Sequence, residues 1–261
     1  MSLKIDSLVL GTAQFGSDYG VANKAGKPSK QEVFKILTSA WESGIRRYDT
    51  APDYGPSEEL LGEFVRAHGV QGSIEVLTKI PKLSYQIPHR AFVEESLGKS
   101  IERLGCSIKV LFFHNPSDSL CLLSESRQFE EFQSNRLYPS LGVSVYEYSE
   151  IVRLANWQTQ LAFQYPYNVV DRRFEDVEVP GSNTYIRSVF LQGVLSSQTG
   201  LRSNAPTSLV KFQDKYQSTL KRYDYTPLNF ALDFVFAFGL AAAFGLAAAF
   251  GLAAAFGLAA A

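Results

Sequence analysis

The sequence predicts an α/β fold, a (β/α)8 TIM-type barrel whose eighth βα unit is absent or replaced by an apolar repeat. Short apolar runs rich in β-branched residues alternate with segments of helical periodicity. These runs recur about every 20–35 residues, which is close to the length of one βα unit. The length of 261 residues is also close to what eight such units require.

Seven strands are expected ahead of the C-terminal repeat, and their alternation with helices predicts a parallel sheet. Each strand is a short apolar run that ends in a polar residue or before a turn. The predicted strands are residues 8–11, 45–49, 75–79, 109–114, 140–144, 160–165 and 185–190.

Three of the segments between the strands have readable helix ends. Ser29 is expected to cap the first helix, with Glu32 as its capping-box partner, and Gly44 to take the left-handed conformation after its last turn. A second helix is expected from Ser57 to near Gly69. The residues expected to face the core are Val33, Ile36, Leu37, Ala40 and Trp41 in the first helix, Leu60, Leu61, Phe64 and Val65 in the second, and Val93, Leu97, Ile101 and Leu104 in a third that ends before Gly105.

Composition excludes several classes of protein. The 25 basic and 26 acidic residues give a net charge of −1, so the positive surface typical of nucleic-acid binding is not expected. The two cysteines, Cys106 and Cys121, are too few for a disulfide framework, and the first residues lack the apolar run of a signal peptide. The expected location is the reducing cytoplasm.

Polar side chains end five successive predicted strands, at the edge where a parallel barrel carries its chemistry. Singly, each has an ordinary explanation as a turn cap, an ion-pair partner or a packed histidine. Together they form an unfavourable buried set unless something uses them. The set is Asp49, Lys79, His114, Ser144 and Gln164, with Tyr54 in the loop that follows Asp49.

Proton transfer coupled to hydride transfer would use this set. A tyrosine hydroxyl has a pKa of about 10, and a nearby ammonium lowers that pKa by favouring the phenolate. Lys79 supplies the ammonium, and Asp49 is expected to hold it in place. His114 is expected to donate a hydrogen bond that orients a carbonyl oxygen. No metal is expected.

These motifs resemble the aldo-keto reductase superfamily, and the resemblance covers about residues 5–237. The matching segments are residues 11–16 at the first strand, 48–55 and 57–62 around the aspartate and tyrosine, 76–79 at the lysine strand and 111–116 at the histidine strand. The resemblance implies reduction of an aldehyde or ketone by NAD(P)H. It implies Tyr54 as general acid, Lys79 and Asp49 as its tuning pair, and His114 as the group that orients the substrate.

The resemblance also implies a cofactor site, formed by Gly11, Thr12, Asp49, Ser144, Gln164 and Arg187. Ser144 and Gln164 would contact the nicotinamide amide, and Arg187 stands where many members place a tyrosine that stacks on the nicotinamide. The family's usual Ser-Asn pair is Ser144-Val145 here. Family members bind the 2′-phosphate with Ser, Arg, Lys or Gln residues beyond the eighth strand, and none of these follows Asp233. NADPH is the expected cofactor, with NADH as the alternative.

The chain is expected to divide into a barrel, residues 1–237, and a tail, residues 238–261, in which Phe-Gly-Leu-Ala-Ala-Ala occurs four times. On a helix this period forms no apolar face, whereas on a strand it keeps Phe and Leu on one side. Three interpretations stay open. They are, in order, an artificial or frameshifted replacement of the natural C-terminus, an apolar segment that closes the barrel, and a membrane anchor.

Two classes of function also stay open. The first is a reductase acting on a small-molecule carbonyl substrate, and the second is a non-catalytic nicotinamide-nucleotide-binding barrel with a regulatory or binding role. Neither involves nucleic acid. No arginine cluster indicates an anionic substrate. Aromatic residues near the strand ends are candidates for lining a substrate pocket, namely Tyr19, Tyr85, Tyr146 and Tyr167.

Overall fold

A closed barrel of eight parallel strands forms the centre of the molecule, and each strand pairs with its neighbour in sequence. The computed structural model describes residues 5–83, 87–135, 137–154, 160–177, 179–237 and 242–244. The predicted fold class is confirmed. The strands are β1 (Leu8–Gly11), β2 (Arg47–Asp49), β3 (Glu75–Ile80), β4 (Ile108–Phe113), β5 (Ser140–Ser144), β6 (Ala162–Pro166), β7 (Thr184–Arg187) and β8 (Ala242–Phe244).

Helices occupy the connections between the strands, except that the described residues between β6 and β7 form none. No helix in the described ranges has the length and apolar character needed to cross a bilayer. Two short 3-10 segments, Ile5–Ser7 and Pro116–Leu120, precede β1 and follow β4. The α-helices are α1 (Ala13–Gly16), α2 (Lys30–Glu42), α3 (Ser57–His68), α4 (His89–Leu104), α5 (Cys121–Ser124), α6 (Ser126–Ser134), α7 (Tyr148–Leu154), α8 (Thr207–Arg222) and α9 (Pro227–Ala237).

The predicted helix ends are confirmed. The Ser29 hydroxyl accepts a hydrogen bond from the Glu32 amide, and the Glu32 carboxylate accepts one from the Ser29 amide, which completes the capping box of α2. Gly44 follows α2 with a φ of 93°. Gly69 and Gly105 end α3 and α4 in the left-handed conformation, with φ values of 64° and 67°. Glycine adopts this conformation without the steric cost that a Cβ atom imposes.

One predicted core position in α4 is wrong. Val93, Leu97 and Leu104 are buried, but Ile101 is 41% exposed. The helix instead turns Ser100 toward α3, where its hydroxyl lies 3.3 Å from a carboxylate oxygen of Glu58. Ser100 thus adds a polar contact to the buried face that Val93, Leu97 and Leu104 form.

The seventh strand is shorter than predicted. It ends at Arg187 because Ser188 takes a φ of 58°, which breaks the extended backbone, so Phe190 lies in the following loop and not in the strand. The other strand ends differ from the predicted ones by two residues or fewer: β2 begins at Arg47, β3 ends at Ile80, β4 spans Ile108–Phe113 and β6 spans Ala162–Pro166.

The eighth strand comes from the apolar repeat. The backbone of residues 242–244 pairs in parallel with residues 8–10 of β1, and Ala242 also pairs with Ile186 of β7. This part of the repeat closes the barrel, so the ladder edges of β1 and β7 are not left unpaired there. The rest of the repeat lies outside the described residues, and the other two interpretations of the tail stay predictions.

The barrel interior is packed below the strand ends with apolar side chains. Leu77 lies two residues before Lys79, and Ala162 lies two residues before Gln164. Side chains two residues apart on a strand share one face, so the polar residues lie directly above this apolar layer. The layer consists of Val9, Leu77, Val110, Phe112 and Ala162. The chemistry of the barrel therefore belongs at its carboxyl end.

Gly62 allows α3 and α4 to approach closely, and we predict that Gly62→Ala destabilises the fold. An added Cβ atom would lie 2.0 Å from the Arg103 carbonyl oxygen of α4, so overpacking should cost about 1–3 kcal/mol in the free energy of unfolding. Gly98→Ala is the matched control, because no atom lies within 4 Å of its added Cβ atom. It should stabilise its helix by about 1 kcal/mol in urea unfolding. Equal effects of the two changes would contradict the close-approach argument.

We also predict that a chain ending at Ala237 is less stable than the full chain. Loss of β8 would expose the ladder edges of β1 and β7. Thermal melts with light scattering should show a lower melting temperature or aggregation. Identical melting of the two chains would show that closure by β8 contributes nothing to stability.

Candidate active site

A cavity of about 250 Å³ opens at the carboxyl ends of the strands. It brings together eight of the nine residues predicted for the catalytic and cofactor sites. Among the predicted residues, Thr12 is not part of the lining. The predicted residues that line the cavity are Gly11, Asp49, Tyr54, Lys79, His114, Ser144, Gln164 and Arg187, together with the aromatic candidates Tyr19 and Tyr146.

A buried ion pair occupies the floor of this cavity. Lys79 at the end of β3 is 2% exposed, and its Nζ donates hydrogen bonds of 2.8 Å to Asp49 Oδ2 and to the Thr50 carbonyl oxygen. Gln164 Nε2 donates to Asp49 Oδ1 at 3.0 Å. Both carboxylate oxygens of Asp49 are therefore satisfied, and the ammonium is held toward the cavity.

Tyr54 lies in the loop after β2, directly beside the ammonium. The Lys79 Nζ atom is 4.8 Å from the centroid of the Tyr54 ring. Gly16 fixes this loop from the other side, because a Cβ atom there would lie 1.5 Å from the Tyr54 carbonyl oxygen. The close approach of these two loops sets the position of the phenol.

Burial and charge act in opposite directions on Tyr54. Burial raises the pKa of its hydroxyl above the ordinary value, and the Lys79 ammonium opposes that rise. The net direction is upward, so the hydroxyl keeps its proton at neutral pH. Burial also disfavours the Lys79 ammonium, but the attraction of Asp49 and Tyr54 outweighs it and raises the pKa of Lys79. The pair therefore consists of a phenol and an ammonium.

His114 follows β4 and packs with its edge against Tyr54, with ring centroids 5.9 Å apart. Burial, followed by repulsion from the Lys79 ammonium, holds the pKa of His114 below its ordinary value of 6.5. Its Nδ1 lies 3.3 Å from a carboxylate oxygen of Asp53. Because a carboxylate only accepts, this contact places a proton on Nδ1. The second nitrogen, Nε2, then carries a proton only when the ring is charged.

Ser144 and Gln164 lie side by side on β5 and β6, where their backbones are paired. Ser144 is 2% exposed and Gln164 is fully buried. The Gln164 Oε1 atom has no hydrogen-bond partner among the described residues. A buried acceptor of this kind requires a donor, and the N–H of a carboxamide is a suitable one. The residues present therefore fit a nicotinamide amide.

Arg187 at the end of β7 forms another part of the cavity wall. Its Nη2 donates to the Val145 carbonyl oxygen at 3.0 Å, and its guanidinium lies 4.0 Å from the centroid of the Tyr146 ring. Its Nε is buried and has no hydrogen-bond partner in the described part of the chain. Burial lowers the pKa of this guanidinium, although arginine keeps its charge at all ordinary pH values.

Thr12 supports the site from behind the cavity wall. Its hydroxyl donates to the Asp49 carbonyl oxygen at 3.0 Å and accepts a 2.6 Å hydrogen bond from Ser57. The Ser57 hydroxyl also lies 3.0 Å from the Thr50 hydroxyl. This cluster of buried hydroxyls joins β1, β2 and the start of α3, and so holds the backbone on which Asp49 stands.

A second buried group holds the lysine strand. Glu58 is fully buried, accepts a 2.6 Å hydrogen bond from Thr78 and accepts another from Arg103 at 2.6 Å. Thr78 directly precedes Lys79, and its side chain points to the opposite side of β3. The lysine strand is therefore fixed against α3 and α4 as well as within the barrel.

Two of the aromatic candidates for the pocket, Tyr85 and Tyr167, are not among the described residues that line the cavity. Tyr85 lies outside the described residues, and Tyr167 is buried against Phe234, with ring centroids 5.7 Å apart, so it does not line the cavity. Sequence reasoning did not identify Asp53, the partner of His114, or the lining residues of the loop after β7, namely Ser188, Phe190, Gln192 and Gly193. The one sequence signal in that loop is the pair Gln192-Gly193, which is typical of a turn. In the described ranges no cluster of His, Cys, Asp or Glu side chains is suited to hold a metal.

Comparison with characterised sequences gives distant relatives. The D-threo-aldose 1-dehydrogenase of a Pseudomonas species is 30% identical over 159 residues, which is 48% of this chain and 48% of that protein. An aldo-keto reductase of Strobilurus tenacellus is 34% identical over 114 residues, 42% of this chain and 32% of that protein. Two Schizosaccharomyces pombe relatives match at 25% and 26% identity. The chain spans 60% and 57% of their lengths.

Solved structures match over nearly the whole chain and show the same fold. The holo form of an aldo-keto reductase from Bacillus halodurans superposes with a TM-score of 0.73 at 19% identity, covering 98% of this chain and 87% of that one. The glycerol dehydrogenase of Gluconobacter oxydans gives 0.70 at 18% identity, covering 95% and 84%. The model of the Aldo/keto reductase family matches residues 7–237, and this chain therefore belongs to the aldo/keto reductase family.

Proposed function

We propose that this protein reduces an aldehyde or ketone to an alcohol with NAD(P)H, and that Tyr54 is the general acid. The observation that carries this proposal is the contact of one buried ammonium, Lys79, with both Asp49 and the Tyr54 ring. Membership of the family supports reduction of carbonyl compounds in general.

The proton comes from the Tyr54 hydroxyl. Its raised pKa keeps the proton in place at neutral pH until the carbonyl oxygen gains negative charge during reduction. Donation leaves a phenolate, which the adjacent Lys79 ammonium stabilises. Asp49 keeps the ammonium charged and oriented through the 2.8 Å hydrogen bond. Water then returns a proton to Tyr54 between turnovers.

A bound reduced nicotinamide supplies the hydride. Ser144 and the unpartnered Oε1 of Gln164 would hold its amide, and Asp49 keeps the Gln164 side chain in the orientation that this requires. Gly11 leaves room at the end of β1, because it carries no side chain. NADPH is the proposed cofactor. NADH is a close alternative, since the sequence beyond Asp233 carries no side chain that binds a 2′-phosphate.

The substrate is a small carbonyl compound bound above Tyr54 and His114, between Tyr19 and Tyr146. These two aromatic residues line the mouth of the cavity. The relative named for an aldose makes a sugar-derived carbonyl a reasonable first substrate to test, and aromatic walls also suit an aryl aldehyde. A non-catalytic role is not favoured, because the acid, the ammonium and the carboxylate are all present and in contact.

We predict that Tyr54→Phe lowers kcat/KM for an aryl aldehyde by about 10²–10⁴-fold, the usual range for loss of a general acid. The fold should be retained, because the ring that packs beside Lys79 remains. Tyr223→Phe is the matched control, since Tyr223 is 72% exposed and does not line the cavity. Steady-state kinetics and thermal melts provide the test. Parent-like activity of Tyr54→Phe would remove Tyr54 as the acid.

We further predict that reduction speeds up as the pH falls below 6.5. The contact with Asp53 holds a proton on Nδ1 of His114, so Nε2 can donate to a carbonyl only when the ring is charged. Burial and the Lys79 ammonium hold the pKa of His114 below 6.5, and the Asp53 carboxylate opposes them by favouring the charged ring. Asp53→Asn should therefore shift the acid limb of the kcat/KM profile to lower pH, measured between about pH 5 and 8. An unchanged limb would show that His114 does not act as a charged donor.

A further inference from the structure

Arg187 is held rigidly beside the two residues proposed to bind the nicotinamide amide. Its Nη2 is bonded to the carbonyl oxygen of Val145, the residue after Ser144. Its guanidinium is stacked on Tyr146. Its strand, β7, is paired with β6, and Arg187 lies opposite Pro166, two residues beyond Gln164. These contacts fix a positive charge at the subsite instead of leaving it to point into solvent.

Carboxylates act on this charge only at longer range, through the attraction of Asp49 and Asp171. In the described part of the chain, Arg187 makes no ion pair within 4.0 Å, whereas the buried Lys79 of the same cavity is paired with Asp49. His114 is uncharged at neutral pH, because burial lowers its pKa. Among the described residues, the Arg187 guanidinium is therefore a positive charge of the cavity wall without a direct carboxylate partner.

We propose that Arg187 makes this site select the reduced form of the nicotinamide cofactor over the oxidised form. The proposal rests on the proposed function and extends it. The oxidised ring carries a positive charge and the reduced ring is neutral, so a fixed, partly buried cation beside the ring repels only the oxidised form. The amide and phosphate groups are the same in both forms. Contacts with Ser144 and Gln164 therefore cannot distinguish between them.

A tyrosine at position 187 would not distinguish the two forms of the cofactor by charge. A neutral ring can stack on nicotinamide in either form, whereas a guanidinium both stacks and repels the oxidised form. The same charge acts on the Tyr54 hydroxyl, where it lowers the pKa and so favours the phenolate that forms after proton donation. Arg187 thus biases the site toward carbonyl reduction and toward release of the oxidised cofactor.

The test is the ratio of dissociation constants, Kd for NADP⁺ divided by Kd for NADPH, measured by fluorescence or calorimetry on the full chain. The parent protein should give a ratio of at least about 10, the effect expected of a like charge at close range. Arg187→Gln should lower the ratio at least fivefold, about 1 kcal/mol. Arg187→Lys keeps the charge and should keep the ratio, even if both forms bind more weakly.

Arg127→Gln is the control for net charge, because it removes one positive charge from a side chain that is 91% exposed. It should leave the ratio unchanged. A purely stacking role would weaken both forms equally in Arg187→Gln, and a parent-like ratio in that variant would overturn the proposal. So would a ratio near 1 in the parent protein, or loss of selection in Arg187→Lys. If the parent protein binds neither form, the proposed function itself fails.

Discussion

The buried ion pair between Lys79 and Asp49 is the constraint on which the rest of the site depends. Removing either partner would leave an uncompensated charge in the barrel, at a cost of about 3–5 kcal/mol. The neighbouring groups stabilise both charges of the pair. Gln164 donates a hydrogen bond to Asp49, and the Thr50 carbonyl oxygen accepts one from Lys79. The Tyr54 ring lies beside the ammonium. The same contacts that satisfy the ion pair bring the Tyr54 phenol and the Gln164 side chain to one cavity.

The barrel supplies rigidity on both sides of this pair. Inside, the apolar layer that includes Leu77 and Ala162 fills the space below the polar residues. Outside, the Glu58 carboxylate binds Thr78, and the hydroxyl cluster around Thr12 binds the backbone of Asp49. Asp49 and Lys79 therefore stand on strands that are held from two directions, and they position Tyr54 in the adjoining loop. Sites of this kind are better ordered than sites built on loops alone.

Two cations face the cavity, and the fold treats them differently. Lys79 is neutralised by a carboxylate, so its effect is local and is felt mainly by Tyr54. Arg187 is fixed by a carbonyl oxygen and an aromatic ring, neither of which cancels its charge. In the proposed mechanism, the first arrangement adjusts the pKa of Tyr54 as the acid, and the second sets the charge beside the nicotinamide ring. His114 adds a pH-dependent third charge through its contact with Asp53.

The sequence by itself determined the barrel, the helix caps and the polar residues at the strand ends, because periodicity, capping and strand termination are local properties of the chain. Only the tertiary structure decided that Asp53 contacts His114, that Tyr146 stacks on Arg187 and that Ser188 ends β7. It also decided that Ser100, and not Ile101, faces α3. These features depend on contacts between segments far apart in sequence, or on a backbone angle that serine rarely adopts, and no local pattern encodes either one.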